Sequence, residues 1–153
     1  MGLMNILEAE QAAGLVDLDP FVYSAMFATV TQGSTPNSNI SIQADSDFVI
    51  RAGNVTCTVT GELLVTVPPP ILIQIYDSGS GRNFQDQAFP IQNLFGGSVN
   101  AQGILPGIWP EPKLVRASST LTITITNNGG FTFTSVDVSF IGVKVFRFSK
   151  PRL

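Results

Sequence analysis

Thr120-Leu-Thr-Ile-Thr-Ile-Thr-Asn-Asn-Gly-Gly-Phe-Thr-Phe-Thr-Ser-Val-Asp-Val-Ser-Phe-Ile-Gly-Val-Lys-Val-Phe-Arg-Phe148 reads as two β-strands joined by a turn. Alternation at period two buries one face of a sheet. Leu121, Ile123 and Ile125 therefore point one way, and Thr120, Thr122, Thr124 and Thr126 the other. Asn127-Asn128-Gly129-Gly130 tolerates the positive φ that a hairpin turn requires. The outward face carries threonine rather than lysine or glutamate. Neutral hydroxyls suit contact better than solvation.

The second arm changes parity. Phe131 and Phe133 are odd-numbered, whereas Val136, Val138 and Phe140 are even, so one continuous buried face predicts a β-bulge near Thr134-Ser135. From Ile141 to Phe148 both faces are apolar. That pattern predicts a strand in the middle of a sheet, or one covered by the N-terminal segment or by a neighbour.

With 153 residues the chain is one domain, long enough to bury roughly 70% of its unfolded surface. Its 44% hydrophobic content excludes a disordered protein. Only 12% of residues are charged, against about 25% in an ordinary soluble domain. Flat faces and sheet edges are thus poorly defended against association, which predicts a surface occupied by other copies or partners. A net charge of -3 argues against nucleic-acid binding, which needs clustered Lys and Arg. No basic residue precedes Arg51, and Lys144, Arg147, Lys150 and Arg152 crowd the C-terminus, as a solvated end or a docking patch for an acidic partner.

Residues 1–35 read as an N-terminal arm, and 36–153 as the body. Leu3, Ile6, Leu7 and Ala13 fit a short amphipathic helix, Gly14 stops it, and Asp17-Leu-Asp-Pro20 prevents its continuation. Phe21 to Val30 is apolar without a clean period. Such an arm must pack on its own domain or on a neighbouring subunit. Short strands follow at 40–42, 47–51, 54–60, 63–67 and 71–76. A Gly- and Pro-rich stretch from Asp77 to Pro112 holds one further strand, Phe89 to Leu94, and Leu114 to Arg116 leads into the final pair. About eight strands and no interior helix predict an all-β, jelly-roll-like antiparallel sandwich behind a helical and extended arm. The N-terminus lacks the basic start of a secretory signal and no apolar run reaches membrane-spanning length, so a soluble protein made in the cytoplasm is expected.

The chemistry available is narrow. The absence of histidine excludes Ser-His-Asp and Cys-His catalysis and His-based metal sites. Cys57 shares parity with Val55 and Val59 and reads as a small core hydrophobe. The Asp17/Asp19 and Asp45/Asp47 pairs fit turns and caps better than a cation site, which wants six or more oxygens. No spacing singles out a catalytic pair among Glu62, Asp77, Asp86 and Glu111. Gly79-Ser-Gly81 lacks the third glycine of a dinucleotide fingerprint and reads as a loop. Trp109, set between prolines, reads as a pin for its loop rather than as a sugar platform. Neither catalytic residue, metal nor cofactor is expected.

Ile75-Tyr-Asp-Ser-Gly-Ser-Gly-Arg-Asn-Phe84, Phe89-Pro-Ile-Gln-Asn-Leu-Phe-Gly96, the Leu105–Pro112 loop, the Ser119–Asn127 strand and the closing Val138-Ser-Phe-Ile-Gly-Val-Lys-Val-Phe146 together resemble small jelly-roll virion proteins of tailed bacteriophages. The resemblance covers about half the chain and carries no catalytic signature. It implies decoration or cementing of a capsid surface by binding major capsid protein and neighbouring copies, often as a homotrimer, with neck or tail adaptor as the alternative. No functional residue is carried over from the family; the unpartnered apolar arm and the basic C-terminus make Leu3, Ile6, Leu7, Phe21, Phe27, Arg147, Lys150 and Arg152 the expected interface residues. A third reading, a receptor- or glycan-binding jelly roll of the tail, requires Trp109, Tyr76 and Phe84 to converge on one groove.

Overall fold

The strands at 120–127 and 133–147 do not pair with each other; they belong to opposite sheets. The computed structural model describes residues 2–60, 62–63, 69–96, 99–100, 103–104 and 106–148. Helix α1 (Leu3–Ala12) precedes β1 (Val16–Val30), β2 (Asn37–Ser41), β3 (Asp47–Val59), β4 (Glu62–Leu63), β5 (Ile71–Asp77), β6 (Arg82–Asn83) and β7 (Phe89–Pro90). Then come α2 (Gln92–Phe95), β8 (Val99–Asn100), β9 (Gly103–Ile104), β10 (Gly107–Val115), β11 (Thr120–Asn127) and β12 (Phe133–Arg147). The first sheet runs β1-β12-β3-β10 with β4 beside β3, and the second runs β2-β11-β5-β6 with β7 also on β5. Every pairing is antiparallel. The chain passes between the two sheets at β1/β2, β2/β3, β4/β5, β10/β11 and β11/β12, and returns from β7 to β10 by way of α2 and the separate β8-β9 pair, giving the expected jelly-roll sandwich.

The expected hairpin turn is therefore a corner between sheets, and Asn127 holds it. Its buried side chain donates from Nδ2 to Val30 O (3.1 Å) and Phe131 O (2.9 Å), while its Oδ1 accepts from Gly129 N–H (2.9 Å). Alternation specifies which face of a strand is buried but not which strand lies beside it. Here Leu121, Ile123 and Ile125 meet Val136, Val138 and Phe140 in one core between the two layers.

The parity change in β12 is real, but no residue is inserted at Thr134-Ser135. β1 pairs with β12 without a register shift from Val16↔Arg147 to Val30↔Phe133, the ladder skipping Thr29 alone. β1 changes parity at the same level: Phe27 and Val30 are both buried, and Thr29 between them has φ 50°. The irregularity lies instead in β3. Ile141 faces Ala52 and Gly142 faces Ile50, so Arg51 is the extra residue. It lets β3 bury Phe48 and Ile50 toward the main core and Val49 toward the opposite side.

That opposite side explains the doubly apolar end of β12. Val143 and Val145 join Val49, Val16 and Leu7 in a second, smaller core, with Leu3, Met4, Leu18 and Leu114 packed against it. β12 is thus both central in its sheet and roofed by α1. The helix is tied down by Arg147, whose guanidinium lies 3.1 Å from Glu10 Oε2. Residues 16–30, read from sequence as part of an arm, are the edge strand of the first sheet. Two further expectations change: 47–51 and 54–60 are one strand, and Phe89–Leu94 is two strand residues followed by α2. The 63–67 strand falls mostly outside the described residues.

Candidate interaction surface

The outer face of the first sheet carries an apolar row that no described element covers. The registers Val22↔Ile141, Ile141↔Ala52 and Ala52↔Ile108 place these four side chains side by side across β1, β12, β3 and β10. Val22 is 51% exposed and Ile108 83%. The row lies one step beyond the roof that α1 makes over Val143. Between the two is a groove of about 560 Å³ whose lining includes Met4, Pro20, Arg51, Pro110 and Pro112 with Ile141, Ala52 and Ile108 of the row. Arg51 is exposed there because the bulge turns it outward. Two steps along β1, Met26 is 71% exposed. Ile141 and Ala52, between the exposed ends of the row, are half-buried.

Below the row the face becomes polar: Ser24 and Ser139 share a hydroxyl hydrogen bond (3.0 Å), and Asp137 lies between Met26 and Thr56. Asp137 Oδ1 is buried without a hydrogen-bond partner among the described residues, and burial raises its pKa above the usual 3.8. A raised folded-state value favours the protonated carboxyl. The stability it confers is complete below the ordinary pKa and is lost as pH rises through the folded one. Asp137→Asn is accordingly expected to melt above wild type at pH 7 and level with it near pH 3, by thermal denaturation at both. A lower midpoint at pH 7 would mean that the carboxylate has a compensating partner.

The outer face of the second sheet is the neutral polar wall anticipated at the outset. Half-buried Thr122 and Thr124 stand between Asn37 and Asn39 of β2 and Gln74 and Tyr76 of β5.

The expected interface residues divide sharply. Leu7 is 1% exposed in the second core, and Phe27 is buried in the main one, so neither side chain is free to touch a partner. Leu3 is half-buried against the second core. Phe21 packs edge-on to Tyr23 at 4.8 Å and receives the Lys144 ammonium over its ring at 4.3 Å. Lys144 itself is buried, hydrogen-bonded to Gln43 and 3.6 Å from Asp45 Oδ1, so it closes the end of the sandwich. Ile6 is exposed on α1. Arg147 is engaged with Glu10, and Lys150 and Arg152 lie outside the described residues. Sequence reading missed Val22, Met26, Ile141 and Ile108. In β1 the clue was the opposite parity of Tyr23, Ala25 and Phe27; Ile108, in a proline-rich run, offered none.

The aromatic groove required for glycan binding does not form. Trp109 is 7% exposed, donates from Nε1 to Leu94 O (3.0 Å), and packs edge-on against Phe84, Phe95 and Phe140. Tyr76 stands exposed on the second sheet's outer face. Asp77 is buried and accepts from Gly79 N–H (2.9 Å), holding a turn. Asp47 accepts from Ala117 N–H (2.9 Å) and pairs with Arg116. Burial pushes the Cys57 thiol up to about 12, which keeps it protonated and unreactive. Among the described residues no cluster of metal-ligating side chains occurs, and no helix is long and apolar enough to cross a membrane.

No protein-family model matches the chain, and no curated protein is similar to it. Among solved structures, the infectious bursal disease virus VP2 subviral particle is similar at 14% identity with a TM-score of 0.35. That match covers 86% of this chain, which spans 38% of the VP2 chain.

Proposed function

We propose that this chain is a structural subunit of a virus particle, acting by surface contact rather than by catalysis. The supporting observation is the uncovered row Val22–Ile141–Ala52–Ile108 with its flanking groove. A free-standing soluble domain gains nothing from leaving Ile108 in water, whereas a subunit that docks on a shell buries it there. Each Å² of apolar surface so covered contributes roughly 25 cal/mol before the entropic losses of association. The low charge and the threonine wall of the second sheet suit further contacts between copies. Within this reading, the resemblance of the Ile75–Phe84 and Phe89–Gly96 segments to phage jelly-roll proteins favours the outer surface of a capsid, with major capsid protein as the partner.

Purified particles of a phage that encodes this chain test the proposal. The chain should copurify at hundreds of copies per particle by quantitative gel, and Ile108→Asp, folded but charged on the row, should be lost from them. A chain absent from washed particles would overturn the proposal. A dozen copies would move it to the neck or tail.

A further inference from the structure

Among the described residues the two main sheets end on β1, β10, β2 and β6, with the two-residue strands β4 and β7 beside them, and three of these four ends are guarded. β10 carries Pro110, Glu111, Pro112 and Lys113; β2 is five residues long; β6 is two residues long and includes Arg82. Short length, proline and charge are the usual protections of an edge. β1 is different. It runs 15 residues, ends its sheet, and has no charged side chain from Pro20 to Val30.

The hydrogen-bonding parity of that edge follows from its other side. Phe148 N–H donates to Leu15 O (3.0 Å), and the unshifted register carries the same parity along β1. From Asp17 to Ala28, odd-numbered residues thus direct their N–H and C=O groups to β12 and even-numbered residues direct theirs to the open edge; the pattern ends at Thr29, whose φ is 50°, and Val30 O is taken by Asn127. Pro20, which has no N–H, sits at an even position, where the ladder with β12 loses nothing.

We infer that this edge pairs with β1 of a second copy, antiparallel about a twofold axis at Ser24. Only even positions can hydrogen-bond across it. Of the registers that satisfy this, the one centred on Ser24 sets Val22 opposite Met26 of the second copy, and Met26 opposite its Val22. The two exposed apolar side chains of the edge are then matched in both directions. Pro20 faces Ala28, and Asp17 and Asp19 fall beyond the pairing, so no like charges meet. A charge-free edge is what like-to-like pairing needs, because any charge near the axis would confront its own copy. The result is one continuous sheet through two sandwiches, with the two apolar rows brought onto one surface. This inference rests on the edge alone and does not depend on the particle reading above. It replaces the trimer implied by the resemblance with a dimer.

Sedimentation equilibrium of the full chain at micromolar concentrations tests it, with Val22→Lys and the double variant Val22→Lys/Met26→Glu. Wild type should be dimeric. Val22→Lys should weaken the dimer at least roughly tenfold while its thermal midpoint stays near that of wild type. The double variant should recover dimerisation, because each lysine then faces a glutamate of the other copy, whereas residues 22 and 26 of one strand lie too far apart to pair. A wild-type monomer or trimer would overturn the inference, as would a dimer indifferent to Val22→Lys. Failure of the double variant to recover would overturn the Ser24-centred register. Absence from particles tests only the functional reading.

Discussion

Gly142→Ala is expected to be the most damaging single substitution in the chain, costing at least about 3 kcal/mol and leaving little folded protein at 37 °C. A β-carbon at Gly142 would overlap the Val49 carbonyl oxygen and come within 2.8 Å of the carbonyl carbon and 3.1 Å of Ile50 Cα. All three are backbone atoms, so no side-chain rotation can relieve the overlap. The close approach arises where Arg51 is inserted into β3 and the register steps from Ile141↔Ala52 to Gly142↔Ile50. Relief requires β3 and β12 to separate at the centre of their sheet, opening the boundary between the two cores. Urea unfolding gives the measurement. A midpoint for Gly142→Ala within error of wild type would show that the strands do not approach this closely.

The second large effect concerns a pair. Phe95, from the short helix α2, is fully buried and stands edge-on to Phe140 at 5.3 Å and to Trp109 at 6.0 Å. Its ring lies directly over Gly53 of β3, where an added β-carbon would overlap Cδ1 and come within 2.8 Å of Cε1. Phe95→Ala should cost about 3–5 kcal/mol, the range for losing a buried aromatic and leaving a cavity. Gly53→Ala in the wild-type background should cost about 1–3 kcal/mol by overpacking. In the Phe95→Ala background the same methyl enters empty space, so its cost should vanish or reverse. The double-mutant cycle then yields a coupling on the order of 1–3 kcal/mol. Additive effects would mean that the ring does not rest on this glycine.

Much of the sandwich was legible because a strand with one buried face repeats every two residues. Ile71, Ile73 and Ile75, like Leu121, Ile123 and Ile125, declare their inward face without reference to anything distant. β1 was harder to read. Phe21, Val22, Tyr23, Ala25, Met26 and Phe27 are apolar on both faces, and Thr29 breaks the period. The mixed pattern has a physical cause: the inward set fills the core, and the outward Val22 and Met26 belong to the exposed surface. α2 and β10 were hidden in a Gly- and Pro-rich stretch, where packing of Phe95 and Trp109 on Phe140 overrides weak local preference. The expected interface residues failed for a related reason. Apolar residues in a segment with no visible partner look available, yet Leu7 and Phe27 already have partners within the chain.

By itself the sequence determined the all-β class, the buried face of most strands, the parity change in β12, the apolar character of both faces of its end, and the lack of histidine chemistry. Each of these is a local property, set by side-chain period or by composition. Tertiary structure decided that Thr120–Asn127 and Phe133–Arg147 lie in different sheets, and that the extra residue is Arg51 rather than one near Thr134. It also decided that α1 roofs Val143 and Val145, and that Val22, Ile141, Ala52 and Ile108 form one row. These are matters of which strand lies beside which. The period of a strand is the same whatever its neighbour, so only the completed register could show them.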